Sequence, residues 1–300
     1  METLRLGLEW FLNPDHVPLL VGKENGWFAE AGIDLQIIEP DAHMDAMEAI
    51  EAKEMDVAIT EPLHLIEDRA EGHDAVGFTR FLHTNGGVMY RTGHGISRPR
   101  DMNGVRIQYP GAPGPGGPAI VGTMVEADGG TFNPDSVSRV NNGFYHTDAL
   151  AEDKADVATL VFYNFELIEA QHRGLDADFF ALKDWGVPDF CQLILVTSES
   201  LLDARRDVFE RFVRVLQRGI DVLHRHPGTA RSIYMQKSDT AADDVIAGAT
   251  FDATLPCFTY DFTMTGAYYD RLATWMLDRG LIADRPSVRS SWTNDLALPV

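Results

Sequence analysis

Four short clusters combine aromatic, amide, carboxylate and imidazole groups, or bunched glycines, where an apolar run ends: Trp10–His16, Thr60–His64, Pro110–Pro118 and Phe162–Glu166. Trp10, Asn13 and His16 supply an indole face, an amide and an imidazole within seven residues. An aromatic ring with a few directed polar groups suits a flat heterocycle better than a sugar phosphate or a peptide. Glu61 can accept from an amino or ring N–H, with Thr60 as a small hydrogen-bonding partner and His64 beside it. Tyr163 and Asn164 offer aromatic and amide contacts, and Glu166 a carboxylate that pairs with the edge of an amino-substituted ring. Gly111, Ala112 and Gly114 belong to a loop whose glycines let backbone N–H groups approach an anion or a carbonyl oxygen. That loop matches neither a Walker A nor a dinucleotide fingerprint, since Lys and Ser/Thr are missing and the prolines remove donors.

Each residue also has a plainer role. Trp10 packs in a core, Asn13 starts a turn, His16 sits on the surface of a first turn, and His64 is a buried, satisfied histidine. Thr60 and Glu61 cap a helix, and Glu166 complements a helix dipole. The plain account leaves Tyr163 and Asn164 unexplained.

The elements that must position these groups alternate. Leu4–Leu8, Ile33–Ile38, Val57–Ile59, Val76–Phe81, Val88–Tyr90, Val105–Tyr109, Val157–Val161 and Leu193–Val196 are strand-like runs, separated by amphipathic stretches such as Met44–Ala52 and Leu63–Ala70. After Ser198 only helices are expected, at Val208–Leu223, Ala241–Ala253 and Tyr268–Arg279. This βαβ rhythm predicts an α/β fold with mainly parallel sheets flanked by helices and a helical C-terminal segment. Roughly ten strands are many for one twisted sheet, so we expect two lobes. Residues 1–88 and 190–300 form the first and 89–189 an inserted second, with a hinge near 86–91 and 186–192 and a ligand cleft between them.

Composition narrows the function. The 300 residues carry a formal net charge of -21, from 25 Lys+Arg against 46 Asp+Glu. Such a field repels phosphate backbones and anionic lipid surfaces, so neither nucleic-acid binding nor membrane insertion is expected. The sequence contains no His-Glu-Xaa-Xaa-His helix, Gly-Xaa-Ser-Xaa-Gly elbow or Cys-Xaa-Xaa-Cys pair, and we expect no metal and no cofactor. Cys191 and Cys257 permit one disulfide without specifying it. Met1 leads directly into Leu4–Leu8 without a basic and apolar leader. The expectation is therefore cytoplasmic if Met1 is the native start and periplasmic if a leader was trimmed.

The run Trp10-Phe11-Leu12-Asn13-Pro14-Asp15-His16, followed by Lys23-Glu24-Asn25-Gly26-Trp27-Phe28-Ala29-Glu30-Ala31-Gly32-Ile33-Asp34-Leu35, resembles the opening of the thiamine-pyrimidine precursor family. That family holds bacterial solute-binding proteins for formylaminopyrimidines and the fungal thiamine pyrimidine synthase. The resemblance continues through Met55–Ile59 and Asp156–Ala158 to the helical tail. It implies a two-lobed type II periplasmic-binding-protein fold, a small heterocyclic ligand and an ABC permease as partner. Two departures disfavour the synthase. Its Schiff-base lysine falls on Thr60, although its histidine there falls on His64, and its cysteine-rich motif falls on Val187–Cys191, where only Phe190 and Cys191 remain. Tyr163-Asn164-Phe165-Glu166 resembles the aromatic-Asn-aromatic-Glu segment of the binding proteins. The alternative is a cytoplasmic enzyme or ligand sensor of pyrimidine or cofactor metabolism, with His16 or His64 as acid–base group.

Overall fold

The computed structural model describes residues 1–40, 45–286 and 290–297. Two compact units divide the chain, one of Met1–His83, Gln192–Ala273 and Asp284–Val300, the other of Thr84–Cys191 and Thr274–Ala283. Ten strands follow in order: β1 (Glu2–Gly7), β2 (Ile33–Ile38), β3 (Val57–Thr60), β4 (Ala75–His83), β5 (Gly86–Arg91), β6 (Arg106–Gln108), β7 (Ser138–Val140), β8 (Val157–Phe162), β9 (Ala177–Ala181) and β10 (Gln192–Ser198). They form two five-stranded sheets, β2-β1-β3-β10-β4 in the first unit and β7-β6-β8-β5-β9 in the second.

Both sheets are mixed. In the first, β1 runs parallel to β2 and β3, while β10 is antiparallel to β3 and β4. In the second, β6 is parallel to β7 and β8, and β5 is antiparallel to β8 and β9. Parallel pairing therefore accounts for only half of the strand pairs, where the sequence rhythm suggests mainly parallel sheets. The cause is connectivity. β4 ends at His83 and β10 returns opposite it at Gln192, so the returning strand must run the other way.

β5 pairs along its length with β8 and β9, which puts the whole strand in the second unit, whereas the sequence reading cuts it at 88/89. Residues 274–283 also join that unit. Trp275 stacks on Phe190 with ring centroids 6.4 Å apart and donates from Nε1 to Thr123 Oγ1 at 3.0 Å.

Burial follows pattern. All seven residues of β10 are buried, as expected of a strand paired on both sides and covered on both faces. The helix Arg206–Arg225 buries Val208, Phe209, Phe212, Val213, Val215, Leu216, Gly219, Ile220 and Leu223 at three- and four-residue spacing, which gives one apolar face. It packs on the helix Val17–Glu24, and a Cβ on Gly219 would collide with the Pro18 carbonyl. The tail also holds a helix at Pro227–Lys237, with Val245–Thr254 and Gly266–Asp278 close to the expected spans. Met44, the expected start of one helix, lies outside the described residues; that helix runs Ala46–Glu51. Cys191 and Cys257 are both buried, and no disulfide joins them. Among the described residues no helix is long and apolar enough to cross a membrane.

Candidate functional site

In the first unit Leu6 lies opposite Val57 and Gly7 opposite Ala58 across the parallel pair β1 and β3, so the segments that follow these strands leave from one edge. This carboxyl edge is where open α/β sheets take ligands. Asn13 caps the short turn Pro14–His16. Its Oδ1 accepts from the Asp15 N–H at 2.8 Å, and its Nδ2 donates to the Phe11 carbonyl at 2.9 Å. The Asn13 N–H donates to His16 Nδ1 at 3.1 Å, which leaves the ring proton on Nε2, and Nε2 donates to the Glu9 carboxylate at 3.0 Å. His16 is fully buried. Asn13 and His16 thus hold the loop together, and His16 is neither a surface residue nor an exposed acid–base group. Trp10 is half-buried, its ring 6.1 Å from that of Phe11 and tilted by 36°. The Leu12 N–H donates to Glu39 Oε2 at 2.9 Å.

Thr60 closes β3 and is buried. Glu61 precedes the helix Pro62–Glu71 in an extended conformation but makes no side-chain cap bond. Its carboxylate turns to His64, Oε2 lying 3.3 Å from Nε2, while Glu67 Oε2 lies 3.1 Å from Nδ1 on the other side. Burial opposes charge on this imidazole, but the two carboxylates outweigh it and hold His64 well above the ordinary histidine value. The group is an imidazolium between two carboxylates, half-exposed, rather than a neutral core histidine.

The second unit repeats the geometry. β6 and β8 are parallel neighbours, Ile107 opposite Val157, so the segments after Gln108 and Phe162 leave from one edge. A register shift at Gly87/Val88 and a left-handed Leu160, φ 60°, bulge β8 just before Phe162. A Cβ on Gly87 would strike the Phe179 ring, so glycine is required where β5 passes between its neighbours. Tyr163 is half-buried, Asn164 fully buried and Glu166 nearly so. Thr84 Oγ1 donates to Asn164 Oδ1 at 2.5 Å. The Phe162 N–H donates to Glu166 Oε2 at 2.9 Å. Burial pushes the Glu166 carboxyl up to about 8 against the pull of that bond, with Glu169 adding to the rise. A protonated carboxyl both donates and accepts.

In the glycine-rich loop the carbonyls are pinned. Asn141 Nδ2 donates to the carbonyls of Pro110 at 3.0 Å and Ala112 at 3.1 Å, Arg139 to that of Pro113 at 2.7 Å, and Tyr109 to that of Gly114. Two of its N–H groups are also spent, Ala112 on Tyr109 and Gly114 on Gly111. Of the expected donors Gly111, Ala112 and Gly114, the last two therefore spend their N–H groups within the loop, whereas Gly116 and Gly117 open the helix Gly116–Ala127 with N–H groups that lack intrahelical partners. Gly117 also has no room for a Cβ beneath the Tyr109 ring.

Six residues outside the sequence reading organise these segments: Glu9, Glu67, Thr84, Tyr109, Arg139 and Asn141. Glu67 stands three residues from His64 on one helix face, a spacing that signals contact. Thr84 lies 80 residues from Asn164 and gives no such signal. The second unit also has a surface cavity of about 150 Å³ lined by Arg91, His94, Ile96, Asp101 and Asp153, which contains none of the sequence-chosen residues. Among the described residues no group of three His, Cys, Asp or Glu side chains is placed to hold a metal ion. No lysine occurs between Lys53 and Lys154, and β3 ends on Thr60, whose side chain cannot form an imine.

The family model described as NMT1/THI5 like matches residues 13–230. The chain is 27% identical over 242 residues to a formylaminopyrimidine-binding protein of Halalkalibacterium halodurans, covering 80% of this chain and 72% of that protein. It is 24% identical over 297 residues to a 4-amino-5-hydroxymethyl-2-methylpyrimidine phosphate synthase of Legionella pneumophila, covering 98% and 92%. Among solved structures it superposes on a Candida albicans protein exhibiting the generic periplasmic binding protein fold, with a TM-score of 0.73, 14% identity and coverage of 100% and 99%.

Proposed function

Because the chain belongs to the NMT1/THI5-like family, we propose that it is a solute-binding protein for a small aromatic nitrogen heterocycle, a pyrimidine of the thiamine-precursor type, and the binding component of an ABC importer. The observation that carries the reading is the segment Tyr163–Glu166. There a half-buried ring adjoins a buried amide and a buried carboxyl held in its neutral form. This set offers stacking together with both donors and acceptors to a flat, polar-edged ligand. Trp10 is the stacking group proposed for the first unit, with Thr60 and the Glu61–His64 pair as its polar contacts. The N–H groups of Gly116 and Gly117 are the backbone donors proposed for the second.

Synthase chemistry based on pyridoxal phosphate fits poorly, because the lysine it requires falls on Thr60, which cannot form an imine. A sensor or enzyme on the same fold is the second reading, favoured by the His64 imidazolium between Glu61 and Glu67. Native mass spectrometry of freshly purified protein tests the proposal. A retained mass matching a pyrimidine supports it. Turnover of that molecule into a new product transfers the assignment to an enzyme.

A further inference from the structure

We infer that Asn141 is a positioning residue for the glycine-rich loop and aims the Gly111 N–H as a further donor to the ligand; the inference deepens the ligand-binding reading and rests on it. Past the last paired residues of β6 and β7, the Tyr109 N–H still donates to the Val140 carbonyl at 3.2 Å. Pro110 has no N–H with which to continue the ladder. The side chain of Asn141 takes over. Its Nδ2 donates to the carbonyls of Pro110 at 3.0 Å and Ala112 at 3.1 Å, and its Oδ1 accepts the Gly143 N–H at 2.9 Å. The two carbonyls only accept and the N–H only donates, so turning the amide over would set like groups against each other at all three contacts. The fully buried Gln108 holds the segment that carries it: Oε1 accepts the Asn142 N–H and Nε2 donates to the Gly143 carbonyl, both at 2.8 Å.

A peptide unit is planar, and in the trans form its C=O and N–H point to opposite sides. The unit joining Pro110 to Gly111 is trans, so the grip of Asn141 on the Pro110 carbonyl turns the Gly111 N–H away from Asn141. Ala112 and Gly114 spend their N–H groups on the Tyr109 and Gly111 carbonyls, whereas the Gly111 N–H meets no protein acceptor among the described residues. Gly111 is also exposed. Together with Gly116 and Gly117 it is a donor open to a ring nitrogen or a carbonyl oxygen of the ligand, and Asn141 fixes its direction.

The test is calorimetric titration of the whole chain with a formylaminopyrimidine, joined to NMR of the Gly111 amide in the free and saturated states, for wild type, Asn141→Ala and Asn141→Asp. Alanine removes the amide without adding charge. Aspartate keeps the shape and the bond from Gly143 but offers the two carbonyls no donor. In the wild type the Gly111 amide proton should move downfield on saturation. Both variants should bind about three- to tenfold more weakly, the scale of one hydrogen bond, and lose most of that shift. A melting temperature identifies a variant that fails to fold; the other then carries the comparison, and the wild-type shift decides the donor by itself. A wild type that binds the probe with the Gly111 resonance unmoved overturns the inference. So does wild-type affinity in folded Asn141→Ala, because a loss confined to aspartate marks its charge and not the missing grip. Failure of the wild type to bind the probe overturns the ligand-binding reading instead.

Discussion

His16 Nε2 donates to the carboxylate of Glu9 at 3.0 Å while its Nδ1 accepts the Asn13 N–H, so this fully buried ring closes the loop that carries Trp10. Removing the ring strands the Asn13 N–H and the Glu9 carboxylate in a partly buried setting. A loss of about 2 kcal/mol or more is expected for His16→Ala, the scale for unpaired buried polar groups. Urea unfolding measures it. Unchanged stability would show that the imidazole is not a structural clamp.

His64 lies between two carboxylates. With Glu61 and Glu67 on its two sides its charged form is favoured well above the ordinary histidine range. A folded-state value above the unfolded one gives stability that is fully present below the unfolded value and lost as pH rises through the folded one. Proton NMR of the His64 ring should show a raised midpoint, lowered by Glu61→Gln combined with Glu67→Gln. A midpoint at or below the ordinary value would contradict the clamp.

Glu166 has the opposite chemical character but the same direction of pH dependence. Its carboxyl is held up to about 8 by burial, so the folded chain keeps a proton that the unfolded chain releases in the ordinary carboxylate range. Stability contributed by that proton is present at low pH and declines as pH rises toward 8. Asp68, pushed up to about 7 by burial and by Asp45, adds to the same slope. Glu166→Gln mimics the neutral acid, so its melting temperature should match wild type near pH 5 and exceed it near pH 8. Identical pH profiles for the two proteins would mean that Glu166 is ionised throughout.

The sequence makes the long apolar strands and the four polar clusters legible, because both are local patterns. β1, β3, β8 and β10 stand out as β-branched and aliphatic runs. β7 does not: it is three residues, Ser138–Val140, with two of them exposed. β9 is also short, and its Asp178 interrupts the apolar signal. The direction of β10 is a matter of connectivity, which periodicity does not encode. At the site, residue types were readable but their partners were not. Asn13 and His16 look available in sequence and are consumed by one another and by Glu9, while Thr84 and Asn141 reach their targets across 80 and about 30 residues. Such long-range hydrogen bonds leave no trace in spacing.

The central claim is that this protein binds a pyrimidine through an aromatic face and does not convert it. Calorimetric titration with a formylaminopyrimidine, for wild type and Trp10→Ala, tests it most directly, with the mixture analysed afterwards for product. Saturable binding by the wild type is expected, with the ligand recovered unchanged. The variant should lose about 1–3 kcal/mol of binding free energy, the scale of stacking one base on an aromatic ring. No heat of binding to any aminopyrimidine, or a ligand chemically altered in the wild-type sample, would contradict the account.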